Sequence, residues 1–118
     1  MISIRGATTI QNDKVEEILS GTSELLQKTI SANQLDIKQI TAIIFTCTKD
    51  ITSAYPAKAA RDLGIEQAAL MCVQEMYVEN SLPKCIRICI FYNNDISAAE
   101  IKHIYLKNAA VLRPDLIK

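Results

Sequence analysis

Residues Lys84 to Tyr92 read KCIRICIFY. The run is short, rich in isoleucine, cysteine and aromatic side chains, and follows Pro83, so it predicts a β-strand. Between Cys85 and Tyr92 every residue except Arg87 is apolar, and the strand reads as core. Arg87 is then the anomaly. An arginine is almost never fully buried without a partner. Either an internal carboxylate pairs with it, or an anion reaches it from outside.

Working outward, the neighbouring segments predict one α/β (α+β) domain over residues 1–118. ISIRGATT is a first strand, with Ile2 and Ile4 on one face, Ser3 and Arg5 on the other, and Gly6 as punctuation. The stretch from Gln11 to Asn33 has Val15, Ile18, Leu19, Thr22, Leu25, Leu26, Thr29 and Ile30 at helical spacing, so it predicts one long helix. Asp13 and Glu16 suit a capping box, and Gly21 should weaken the helix without ending it. LDIKQI predicts a helical turn and TAIIFTCT a buried strand. PAKAARDLG predicts a short helix, with Pro56 at its start and Gly64 at its end. QAALMCVQEM and IKHIYL predict further strands, NNDISAAE a loop and turn, and NAAVLRPDLIK a short terminal segment interrupted by Pro114. These strands imply a mixed sheet.

Composition narrows the function. The 118 residues carry 13 basic and 13 acidic side chains, for a net charge of +0, which excludes nucleic-acid or membrane-surface binding driven by bulk charge. No apolar run approaches the length of a membrane span. The four cysteines, Cys47, Cys72, Cys85 and Cys89, form no C-x-x-C pair, and MISIRGATTI does not read as a secretory signal. Free thiols and a reducing, cytoplasmic setting are expected. With one histidine, His103, there is no zinc spacing and no evident nucleophile–base pair. Dinucleotide and phosphate-loop glycine patterns are absent as well. An enzyme built this way must work by positioning and electrostatics.

Several cations sit where such work could be done. Arg5 lies in the first strand, Lys58 and Arg61 lie three apart on the short helix, and Arg113 precedes Pro114 and should be extended. Guanidinium groups pair with carboxylates two bonds at a time, so these cations together suit a ligand with more than one carboxylate. Glu75 follows the strand containing Cys72. It is either a partner for Arg87 or an acceptor for a ligand hydroxyl. Cys72 is a packing thiol on spacing alone, and Tyr105 a core or rim aromatic with its hydroxyl in water.

Five segments then carry a resemblance: IRGATT (4–9), YPAKAAR (55–61), CVQEM (72–76), LPKCIR (82–87) and HIYLKNAAVLRPDL (103–116). In order and spacing they resemble the AroH-class chorismate mutases over nearly the whole chain. The resemblance implies a cofactor-free conversion of chorismate to prephenate on the route to phenylalanine and tyrosine. It also implies a homotrimeric pseudo-α/β-barrel with active sites between subunits, and no metal. On matching positions it implies that Arg87 meets charge growing on the ether oxygen, that Arg5 and Tyr105 bind a carboxylate, and that Glu75, with Cys72 beside it, accepts from the ring hydroxyl. Tyr55, Ala57, Lys58, Arg61 and Val73 would wall the pocket, and Leu112 and Arg113 would close over it from the tail. Tyr55 stands where the family pattern has phenylalanine, and Tyr77 where it often has a small acidic residue. Two alternatives remain at this point: a silent trimeric binding module for an aromatic-pathway metabolite, and an imine-hydrolysing trimeric enzyme of similar shape.

Overall fold

The structure, a computed structural model, describes residues 1–116, so the last two residues of the terminal segment lie outside it. Five strands form one sheet: β1 (Ile2–Thr9), β2 (Ile40–Cys47), β3 (Ala69–Gln74), β4 (Cys85–Tyr92) and β5 (Ile104–Tyr105). Their spatial order is β3-β2-β4-β1-β5. The sheet is mixed, as expected. β4 runs antiparallel to both β1 and β2, whereas β2–β3 and β1–β5 are parallel pairs. Two α-helices supply the crossovers, α1 (Val15–Ala32) between β1 and β2 and α2 (Ala57–Asp62) between β2 and β3.

Both helices pack on the same face of the sheet. Leu25 and Leu26 of α1 and Ala57, Ala59 and Ala60 of α2 share one core with Ile4, Ile43, Phe45, Ile88 and Ile90. The small alanines let α2 lie close to the sheet. Two threonines on the buried face of α1 return their hydroxyls to the helix itself, Thr22 to the Ile18 carbonyl and Thr29 to the Leu25 carbonyl, each at 2.7 Å, so neither leaves an unmet donor in the core.

Two local expectations are corrected. Asp13 and Glu16 form no capping box. Asp13 instead accepts from the Thr52 and Ser53 backbone N–H groups and the Thr52 hydroxyl, tying the start of α1 to the loop before α2. Glu17 takes the reach-back role, accepting from the Gln11 and Asn12 N–H groups. Val15 is exposed and lies outside the helix's buried face. Gly6 sits inside β1, within the expected span, where a Cβ would stand 2.8 Å from the Ile104 carbonyl oxygen. A glycine there is what lets β5 approach.

The largest correction concerns β4. It is not core on both faces. Ile86, Ile88, Ile90 and Tyr92 point into the helix-side core, whereas Arg87, Cys89 and Phe91 are only partly buried on the other face. Hydropathy hid this alternation because Cys89 and Phe91 are as apolar as their neighbours. Arg87 therefore stands on the face the α-helices leave bare. One end of that face is closed by a 3-10 segment, Lys107–Leu112, whose Ala109 packs with Ala7, Cys85 and Tyr105.

Candidate active site

Strand register assembles the site on this bare face. Thr46 pairs with Val73 on one side and with Arg87 on the other, Arg87 pairs with Ala7, and Ala7 with Tyr105. Residues paired across a sheet project to the same side. One row thus runs Val73, Thr46, Arg87, Ala7, Tyr105 across all five strands. Two residues along, Arg5 pairs with Cys89 on the same side.

Glu75 lies just beyond β3, where its N–H donates to the Cys47 carbonyl at 2.8 Å. That bond brings its carboxylate over the row. Oε1 accepts the Thr46 hydroxyl at 2.6 Å and lies 3.5 Å from Arg87 Nε. The internal carboxylate is therefore an ion-pair neighbour of Arg87 and makes no hydrogen bond to it. Arg87 Nε is buried without a hydrogen-bond partner, yet the side chain as a whole is 43% exposed. The side chain lines a cleft of about 640 Å³ together with Glu75, Cys85, Val111 and Leu112. A guanidinium on a central strand that remains 43% exposed can receive an anion.

At the far end of the row Tyr105 is buried, with its phenol beside Arg113. Arg113 has a φ of −139° and forms a two-fold pair with Asp115 at 3.1 and 3.0 Å. The Arg5 N–H donates to His103 Nδ1 at 2.9 Å, so the imidazole is held neutral at that nitrogen. Burial first, then Arg5 and Arg113, lower the His103 pKa below its ordinary value of 6.5. The Cys47 thiol, pushed up to about 12 mainly by burial, is an inert packing group. Burial likewise raises Cys85 and Cys89, and all four cysteines are free.

The other sequence-derived residues open into different clefts of the subunit or lie on its helix side. Tyr55, Cys72 and Val73 line a separate cleft of about 380 Å³ beside the loop before α2. Tyr55 is 74% exposed at its rim. Cys72 points to the helix side and packs at the edge of the core, and Ala57 is buried in that core. Lys58 is exposed and paired with Asp62 at 3.1 Å, and Arg61 is exposed on the same helix. Arg5 opens towards a third hollow, with Phe91 and His103. One subunit thus gathers Arg87, Glu75 and Leu112 in one cleft and keeps Tyr55 and Val73 in another. Thr46 was not singled out in the sequence, where it is one β-branched residue in an apolar strand. Only the register reveals it.

Known proteins match nearly the whole chain. The family model for chorismate mutase type I matches residues 1–116. The chain belongs to the chorismate mutase type I family. A chorismate mutase AroH from Thermus thermophilus is 43% identical over 114 residues, covering 96% of this chain and 93% of that protein. The chorismate mutase AroH of Bacillus subtilis (strain 168) is 41% identical over 114 residues, covering 96% and 90%. Among solved structures, a chorismate mutase from Clostridium thermocellum superimposes with a TM-score of 0.92 at 44% identity, covering 94% of this chain and 99% of that one. The mixed-sheet α+β fold and the membership in an isomerase family expected from the five segments are both borne out.

Proposed function

We propose that this chorismate mutase rearranges chorismate to prephenate at the cleft around Arg87, as an early step of phenylalanine and tyrosine synthesis. The observation that carries the reading is the half-exposed Arg87 guanidinium, fixed on a central strand beside a carboxylate that pairs with it at 3.5 Å and also accepts the Thr46 hydroxyl.

The chemistry fits such a group. In a [3,3] rearrangement the ether C–O bond breaks as a new C–C bond forms within the same molecule. No proton transfer, nucleophile or redox partner is required. The substrate must be folded into a chair-like conformer, a positional task. Negative charge grows on the ether oxygen as its bond lengthens. A guanidinium already in place interacts more strongly with that oxygen in the transition state than in the ground state, which lowers the barrier. Arg5 and Tyr105 are proposed to hold a carboxylate, and Glu75 to accept the ring hydroxyl through the oxygen that Thr46 leaves free. Leu112 and Arg113 sit on a terminal segment, suited to close over the ligand.

The division of residues between clefts supports a homotrimer. Tyr55, Lys58, Arg61 and Val73 would then complete the pocket of a neighbouring subunit, with Ala57 and Cys72 packed behind them in the core. The outer side of β3 supports the same reading, since Met71 is 59% and Val73 40% exposed on an edge strand. Among the described residues no helix is long and apolar enough to cross a membrane, and a cytoplasmic enzyme is the proposed setting.

Purified protein mixed with chorismate should consume its ultraviolet absorbance with saturation kinetics, and the product should be prephenate. Turnover should vary little with pH around neutrality, since no step moves a proton. Chorismate binding without conversion, from folded trimers, would select the silent binding module instead.

A further inference from the structure

We propose that Thr46 is a positioning residue for this reaction: its hydroxyl anchors the Glu75 carboxylate and so keeps the Arg87 guanidinium available to an anionic ligand. The inference rests on the roles given above to Arg87 and Glu75.

Three observations carry it. Thr46 and Arg87 are register partners on adjacent antiparallel strands, so their side chains stand next to each other on the bare face. The Glu75 oxygen that accepts the Thr46 hydroxyl at 2.6 Å is the one nearest Arg87, 3.5 Å from Nε. Arg87 Nε, although buried, has no hydrogen-bond partner. A carboxylate and a guanidinium this close ordinarily close into a short, two-fold hydrogen-bonded pair. Here the hydroxyl takes one end of the carboxylate and the pair stays open. Closing it would consume the hydroxyl acceptor and the cation together.

The fold itself does not ask for a hydroxyl at this position. Valine has the same shape and suits a strand equally well. Thr46 also lies between Phe45 and Cys47 in an otherwise apolar run. Its Oγ1 spends its proton on Glu75, a bond to a charged acceptor and so among the stronger ones a hydroxyl can make. Thr46 itself need not touch substrate. It acts through Glu75.

The test is steady-state conversion of chorismate to prephenate by the full chain and its variants Thr46→Val, Thr46→Ala, Thr46→Ser, Glu75→Ala, Arg87→Ala and the double variant Thr46→Val with Glu75→Ala. Losing a hydrogen bond to a charged group should lower kcat/KM about tenfold to a hundredfold in Thr46→Val and Thr46→Ala alike. Thr46→Ser should recover most of it. In the Glu75→Ala background Thr46→Val should change kcat/KM by less than about threefold, because the anchored group is gone. The proposal is overturned if Thr46→Val stays within about twofold of wild type while Glu75→Ala is impaired, an outcome that leaves the site reading intact. It is also overturned if Thr46→Val costs as much on top of Glu75→Ala as it does alone, which is how a purely structural residue behaves. Normal turnover by Glu75→Ala and Arg87→Ala would overturn the site reading, and the proposal with it.

Discussion

The two faces of β4 use neighbouring residues of one strand for opposite ends. On the helix side, Ile86, Ile88 and Ile90 are at most 2% exposed and lie in the apolar core under the helices. On the other side, Arg87 and Cys89 stand in a layer with no α-helix of the described residues over it. The first face makes the strand rigid. The second uses that rigidity to aim a charge. An active-site cation on a loop would lose part of its effect to reorientation, whereas one on a central strand with two hydrogen-bonded neighbours is already placed.

Substitutions on each face should therefore separate activity from stability. Arg87→Lys should lower turnover about a hundredfold to a thousandfold, since an ammonium lacks the planar fork and reach, while its melting temperature stays close to wild type. Near-normal turnover by that variant would mean that charge alone suffices and geometry does not matter. Ile88→Ala, one residue away, should do the reverse. It removes buried volume from the core and should destabilise by about 2–5 kcal/mol in denaturant titration, with the surviving folded fraction still turning over. A large loss of kcat per folded molecule would break the division between faces.

Gly6→Ala sharpens the comparison on the next strand. Its new methyl would press on the Ile104 carbonyl at 2.8 Å and on Leu25 at 3.1 Å. A loss of about 1–3 kcal/mol is expected, read as a lower melting temperature. Because the strain falls on the β1–β5 contact that carries Tyr105, KM for chorismate should also rise. An unchanged melting temperature would mean that β5 moves aside freely.

The smallest effect concerns His103. Its folded pKa lies below 6.5, so the unfolded chain binds the proton first and folding is weakened by acid. Stability from this group is fully present above about pH 6.5 and falls as the pH drops from there towards the folded value. His103→Asn keeps an acceptor for the Arg5 N–H without titrating. Melting temperatures between about pH 5 and 8 should slope less for the variant than for wild type. Equal slopes would remove His103 from the pH response. Asp13, Glu17 and Asp115, whose hydrogen bonds lower their pKa values, act only at more acid pH.

Most elements were legible because their signals are local. The 18-residue helix α1 shows its period in Ile18, Thr22, Leu25 and Thr29, and α2 is framed by Pro56 and Gly64, the latter at a φ of +89°. Candidate site residues were legible as chemistry out of place, Arg87 above all, and as segments resembling a family. What could not be read was pairing. Which face of β4 meets the helices depends on register, and Cys89 and Phe91 are apolar on the bare face too. Asp13 looked like a helix cap because the loop it actually binds, Thr52 and Ser53, is remote in sequence. Thr46 carries no signal until β2 is set beside β4, when its hydroxyl meets Glu75.

The most direct test takes one preparation of Arg87→Ala and measures both its melting temperature and its conversion of chorismate to prephenate. Turnover should fall about a hundredfold or more, with a melting temperature within a few degrees of wild type. Turnover close to wild type, or lost only because the protein no longer folds, would contradict the assignment of the charge to the bare face of β4 and the fold to the other.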